Sequence, residues 1–188
     1  MPSALVPAAG SASRFGGGKL LALVDGVPLL DRTIGALLDA GIDDVLVIVP
    51  PGTSWRGAAS RLDDPRVRTR VNPDPARGMF SSIQIGVADL TNAPIGILPG
   101  DMPFVRADTV RLVLDTAIRT GAIVSPRFDG RRGHPVMLPL DLRETILAAS
   151  PTARLNEVLR PHAARFVNID VDDKGVVRDV DVVEDLVS

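Results

Sequence analysis

Residues 6–19, VPAAGSASRFGGGK, leave an apolar run, carry glycine at positions 10, 16, 17 and 18, and hold Arg14 and Lys19 among them. Glycine lets backbone amides approach a ligand, and a helix start behind such a loop attracts anions, so two cations there suggest phosphate. A surface turn with two solvated cations is the competing assignment. Lys19 and Lys174 are the only lysines in a chain otherwise rich in arginine. In ILPGDMPFV, residues 97–105, Asp101 follows an apolar run and is fixed between Gly100 and Pro103. A carboxylate at a strand exit suits Mg²⁺, which takes one or two carboxylates plus substrate phosphates; a helix N-cap or turn residue is the alternative. RGHPV, residues 132–136, holds His134 between Gly133 and Pro135 beside Arg131 and Arg132, for a catalytic or a structural role. RDVDVVEDL, residues 178–186, gathers carboxylates whose default role is a solvated helix start, with Glu184 and Asp185 as ordinary helix-start charge.

The loop fits neither common phosphate signature. A P-loop needs glycine six residues before the lysine and Ser or Thr after it, where this chain has Ser13 and Leu20. The dinucleotide fingerprint fails as well, because Gly10 is followed by Ser11-Ala12 rather than by x-Gly.

These residues need a frame, and the periodicity supplies one. Apolar runs at Ser3–Pro7, Asp44–Val49, Val67–Val71, Ile95–Leu98 and Ala122–Ser125 read as strands, with a hairpin arm at Pro135–Leu138. Between them, Leu29–Ala40 (closed by Gly41), residues 54–62, Phe80–Leu90 and Ala107–Thr120 read as helices. Helical patterns at 140–149 and 152–160 precede two late apolar runs, Arg165–Val171 and Val176–Val180. Such alternation predicts a Rossmann-like three-layer α/β sandwich, a mostly parallel sheet with helices on both faces. Ligands then sit at the carboxyl ends of the strands, so the exits at Val6-Pro7-Ala8, Val71-Asn72 and Leu98–Asp101 are expected to face one crevice.

At 188 residues the chain is read as a single domain, residues 1–188. A net charge of −2 leaves no electrostatic footprint for nucleic acid or a membrane surface, and no apolar run approaches the roughly 20 residues of a membrane span. The absence of cysteine excludes a thiolate nucleophile, a disulfide and the usual structural zinc site. Cytoplasmic localisation is the expectation.

In order along the chain, these motifs resemble the MobA-like nucleotidyltransferases, and within them the molybdenum cofactor cytidylyltransferase branch. That branch opens with a pattern of the form LAAG-x-S-x-R-M-G-x-x-K-x-LL, against which Ala8-Ala9-Gly10, Arg14, Gly16 and Lys19 stand in register. G-D-M-P matches Gly100 to Pro103, R-G-H-P matches Arg132 to Pro135, and the segment Gly78-Met79-Phe80-Ser81-Ser82-Ile83 has its counterpart too. The closing D-V-D-T-P-E-D-L resembles Asp179 to Leu186, with Val182-Val183 in place of Thr-Pro. Pro7 replaces a leucine and makes the opening similar to that of the methylerythritol-phosphate cytidylyltransferases; Ala12 replaces a serine and Phe15 a methionine. Each motif is weak alone, but five in order span the chain.

The resemblance implies transfer of CMP from CTP to a phosphorylated acceptor of the molybdopterin type, with release of pyrophosphate. Such transfer needs no protein nucleophile, because the acceptor phosphate attacks the α-phosphorus itself; it needs cations, a metal and in-line positioning. Catalytic roles fall to Arg14, Lys19 and Asp101, and Mg²⁺ to Asp101 with Asp181 (or Asp179). Ala8, Ala9, Gly10 and Ser11 with Asn72, Ser81 and Ser82 are implied nucleotide contacts, and Arg132 and His134 implied acceptor contacts, at its phosphate or pterin. The alanines point to cytosine, since the guanylyl branch usually reads Gly-Gly at the last two positions of Ala8-Ala9-Gly10. A molybdoenzyme receiving the product is an implied partner. The alternatives are guanylyl or cytidylyl transfer to another small phosphorylated acceptor (methylerythritol phosphate, a sugar phosphate, phospholactate), or a non-catalytic nucleotide- or cofactor-binding chaperone.

Overall fold

The computed structural model describes residues 1–10, 18–53, 55 and 57–180. Ser11, Arg14, Gly16, Asp181, Glu184 and Asp185 lie outside the described residues.

Strand β1 (Ser3–Pro7) is buried along its whole length, as expected of a central strand covered on both faces. It pairs in parallel with β4 (Asp44–Val49) on one side and β6 (Ile95–Ile97) on the other, and β4 pairs in parallel with β5 (Val67–Val71). The expected exits therefore share one edge of the sheet. Beyond β6 one strand is reversed: β9 (Val136–Leu138) runs antiparallel to β6 and to β7 (Ile123–Phe128), and β10 (Phe166–Asp170) pairs in parallel with β7. The full order is β10-β7-β9-β6-β1-β4-β5, with the short β8 (Arg131–Arg132) folded back on β7.

The period-2 alternation of the strands divides the core into two layers. Ala4, Val6, Val45 and Val47 face α1 (Leu29–Asp39) and α3 (Ala107–Thr120), whose Ile34, Leu37, Val110 and Val113 complete that side. Leu5, Leu46 and Ile48 face α2 (Met79–Asp89), α4 (Arg143–Ala148) and α5 (Leu155–Leu159), with Phe80, Ile83, Ile146 and Leu159. Each fully buried Val, Leu or Ile is worth about 1.5–3 kcal/mol, so both helical layers are held mainly by burial. The result is the expected three-layer α/β sandwich around a mostly parallel sheet.

Three local details differ from the sequence expectation. No α-helix covers the described part of 54–62: Ala58 and Ala59 N–H both donate to the Trp55 carbonyl, Gly57 stands at φ 81, and only a short 3-10 helix follows at Ser60–Asp63. A left-handed residue there ends any helical run before it can nucleate. Strand β7 runs three residues past its expected end at Ser125, because β10 pairs with it through Arg127 and Gly133 N–H donates to the Pro126 carbonyl at 2.9 Å. A small hairpin of β2 (Leu23–Val24) and β3 (Val27–Pro28) turns at Asp25-Gly26, both at positive φ. Asp-Gly between apolar residues is the sequence signal for such a turn, and it recurs at Asp129-Gly130 between β7 and β8.

Candidate functional site

The strand exits are tied to one another before any side chain takes part. Ala8 N–H donates to the Ile48 carbonyl, Gly100 N–H to Pro7, and Asn72 N–H to Val49. Asp101 follows β6 directly above this edge. Thr33 of α1 holds the loop by donating to the Gly100 carbonyl at 3.1 Å. Lys19 returns on a 3-10 turn at Lys19–Leu21, and its Nζ meets Asp101 Oδ2 at 2.9 Å. The side chains are 12% and 23% exposed, so the pair is screened far less than one on the open surface.

The one antiparallel strand near the centre brings the histidine to the same place. β9 starts where β6 ends, with Val136 opposite Ile97, so the residues before β9 arrive beside the carboxyl end of β6. His134 precedes a cis peptide bond to Pro135, and its Nδ1 lies 3.1 Å from the Ile97 carbonyl. Burial lowers the pKa of the ring; the bond to Ile97 and the charges of Asp101 and Asp179 act in the opposite direction.

The closing segment is laid across these residues. His134 N–H donates to the Val176 carbonyl at 2.8 Å, and Val180 N–H donates to the Asp101 carbonyl at 2.9 Å. Asp173 is buried and accepts from Gly175 N–H and Arg106 N–H, both at 3.0 Å. Gly133 and Gly175 permit the contact: a Cβ on Gly133 would fall 2.6 Å from the Val176 carbonyl carbon, and one on Gly175 2.8 Å from the Val105 nitrogen. Arg178 stacks over the Phe104 ring at 3.9 Å. Asp179 thereby lines, with Asp101, Arg132 and His134, a cleft of about 260 Å³.

The structure thus brings together Lys19, Asp101, Arg132 and His134 among the expected site residues. Ala8 and Ala9 are buried under the same edge, and Gly10 is exposed. Asn72, Ser81 and Ser82 do not line the Asp101 cleft. They form their own buried group, in which Asn72 Nδ2 donates to both hydroxyls at 2.9 Å while its Oδ1 accepts from Asp74 N–H. That group pins the exit of β5 to the first turn of α2. Asn72 and Ser81 line a separate depression of about 390 Å³ with Arg70, Arg77 and Gln84. Sequence reasoning gave no role to Thr33, Asp173 or Met79. Asp173-Lys174-Gly175 carries an Asx-turn signal, whereas the bonds of Thr33 and the placement of Met79 at the meeting of three clefts come only from the tertiary fold.

The donor set at the Asp101 cleft fits Mg²⁺ or Mn²⁺. Its carboxylates are hard oxygen donors, and among the described residues no three His, Cys, Asp or Glu side chains form a ready-made metal cage. A metal that keeps waters and shares substrate phosphates needs no such cage. No helix among the described residues is long and apolar enough to cross a membrane.

Comparison with known proteins agrees with the fold. The MobA-like NTP transferase domain profile matches residues 4–166. The molybdenum cofactor cytidylyltransferase of Escherichia coli K12 is 21% identical over 187 residues, covering 98% of this chain and 93% of that one. The bifunctional enzyme IspD/IspF of Anaeromyxobacter dehalogenans is 30% identical over 166 residues, covering 82% of this chain and 42% of the relative. A manganese complex of Rv0371c from Mycobacterium tuberculosis H37Rv shares the fold with a TM-score of 0.72 and 21% identity, over 98% of this chain and 95% of that one.

Proposed function

The chain belongs to the MobA-like NTP transferase family, and on that premise we propose that it transfers CMP from CTP to a phosphorylated acceptor of the molybdopterin type. The observation that carries the proposal is the Lys19–Asp101 pair, with Arg132, His134 and Asp179 around one cleft at the strand exits. A phosphate oxygen of the acceptor attacks the α-phosphorus of CTP. A new P–O–P linkage forms, and the bond from the α-phosphorus to the bridging oxygen breaks. Pyrophosphate leaves with the electron pair.

Lys19, with Arg14 from the glycine loop, holds the triphosphate and stabilises charge as it moves to the leaving group. Asp101 with Asp179 or Asp181 would hold Mg²⁺, which supplies charge neutralisation across the phosphates when bound. Ala8, Ala9, Gly10 and Ser11 form the base-side wall, with Asn72, Ser81 and Ser82 behind the ribose. Arg132 and His134 face the acceptor. The likeness to the E. coli molybdenum cofactor cytidylyltransferase supports the molybdopterin-type acceptor; a molybdoenzyme as receiver of the product and a cytoplasmic setting belong to the same proposal.

The 30% identity to IspD/IspF favours a second reading, in which the acceptor is methylerythritol phosphate or a similar small phosphate. Calorimetric titration with CTP and GTP in Mg²⁺ tests the nucleotide, and turnover across a panel of acceptors separates the two readings. CTP is expected to bind at least tenfold more tightly. A preference for GTP would overturn the assignment of the base.

A further inference from the structure

His134 stands where two clefts meet. It borders the cleft of about 260 Å³ over Asp101 and a larger one of about 590 Å³. The larger cleft has apolar walls, including Met79, Ile83, Val136 and Leu159, with Arg132 stacked on Phe166 at 4.3 Å and Arg160 beside them. No carboxylate is among the described residues that line it.

The orientation of the ring follows from its one bond. A carbonyl has no hydrogen to give, so at 3.1 Å from the Ile97 oxygen Nδ1 must carry the proton. In the neutral ring Nε2 is then a lone-pair acceptor. Among the described residues no buried side-chain nitrogen or oxygen lacks a hydrogen-bond partner, and Nε2 bonds to none of them, so it opens to the clefts. Burial favours the neutral ring, while Asp101 and Asp179 favour the charged one; Arg131 and Arg132 border the same cleft and oppose a further positive charge.

We propose that His134 Nε2 accepts a hydrogen bond from an N–H or O–H on the body of the acceptor substrate, and does not grip its phosphate. This inference rests on the transfer reading given above and narrows it: the site selects acceptors with a donor group beside the phosphate. It discriminates against those that offer only phosphate and carboxylate. The preference is expected to be about 10- to 100-fold in kcat/KM, the usual consequence of leaving a desolvated polar group unpaired.

The chain has only two histidines, His134 and His162, which makes the ring directly observable. Long-range proton–nitrogen NMR of the full chain, ¹⁵N-labelled at histidine and held at about neutral pH, should show His134 neutral with its proton on Nδ1. Its signals are assigned by their loss in His134→Phe. A proton on Nε2, or a doubly protonated ring, overturns the inference. A pterin monophosphate and methylerythritol phosphate carry N–H and O–H donors, and phospholactate carries none. At least one of the first two should move the Nε2 resonance and phospholactate should not; equal shifts with all three, or none with any, overturn the inference. If no acceptor releases pyrophosphate with any nucleotide, the transfer reading fails separately while these spectra still decide the donor contact. Where turnover is found, His134→Phe should raise the acceptor KM about tenfold or more and leave the CTP KM within about twofold, and His134→Gln, which returns an acceptor oxygen, should recover part of the loss. Equal effects on both KM values would overturn the assignment.

Discussion

Replacing Gly133 by alanine tests whether the closing segment is held against the site. The added Cβ would lie 2.6 Å from the Val176 carbonyl carbon and 2.9 Å from the Val176 Cβ, where ordinary contact begins near 3.4 Å. The Val176 carbonyl oxygen lies closer still, so relief requires a movement of more than about 1 Å between two backbone segments, neither of which ends in a flexible side chain. Overpacking of this kind costs about 1–3 kcal/mol. The movement also stretches the bond from His134 N–H to Val176, worth about 1 kcal/mol more. The expected loss is therefore about 2–4 kcal/mol, or roughly 5–15 °C in Tm for a chain of this length. Because Val180 is bonded to Asp101 and Asp179 lies between, the same movement should raise the Mg²⁺ concentration needed for half-maximal turnover. Thermal unfolding reads the first effect, and turnover measured against Mg²⁺ concentration reads the second. Gly18→Ala is the control for stability, since nothing lies within 4 Å of its added Cβ and its φ of −106° suits any residue. A Gly133→Ala protein with wild-type Tm and wild-type metal dependence would refute the clamp.

Three further outcomes follow from named contacts. Lys19→Ala should lower the transfer rate about a hundredfold, equivalent to a few kcal/mol of transition-state stabilisation, and steady-state kinetics with wild-type turnover would contradict it. Asp31 is 5% exposed and accepts from Ser60 N–H, Ser60 Oγ–H and Arg61 N–H at 2.9–3.0 Å, so Asp31→Ala should cost about 2–4 kcal/mol in urea unfolding. A loss below about 0.5 kcal/mol would show that those donors find other partners. Hydrogen bonds from the Arg66 side chain and backbone N–H hold the Asp64 carboxyl at about 2, against an ordinary 3.8. Its folded value is depressed, so its contribution is complete above about pH 4 and is lost as the pH falls toward 2. The Tm difference between wild type and Asp64→Asn should shrink across that window; a difference constant with pH would contradict the pairing.

The frame was legible wherever an apolar run had one reading. Ser3–Pro7, Asp44–Val49 and Val67–Val71 are strands with the bounds expected, and Ala107–Thr120 is a helix that ends at Gly121 in the left-handed conformation. Periodicity failed at 54–62, where local pattern suggested a helix but Gly57 turns the chain. It also stopped β7 early, since Pro126 and Arg127 look like an end until β10 is placed beside them. The site divides along the same line. Asp101 and Lys19 were visible because a glycine loop and a fixed turn mark them, and the fold pairs them. The arrival of His134 beside Ile97 depends on the antiparallel insertion of β9, a topological fact that spacing alone does not encode. Asn72, Ser81 and Ser82 looked like separate contacts; their mutual hydrogen bonds appear only once β5 and α2 are packed.

The central claim is cytidylyl transfer in the Asp101 cleft, and the fate of the α-phosphorus tests it most directly. CTP labelled at that phosphorus is incubated with Mg²⁺, the full chain and each acceptor of the panel, and the label and pyrophosphate are followed together. The account predicts that label appears on the acceptor in step with pyrophosphate, and that Asp101→Asn reduces both by about a hundredfold or more. Label released only as free CMP, or transfer undiminished in Asp101→Asn, would contradict it.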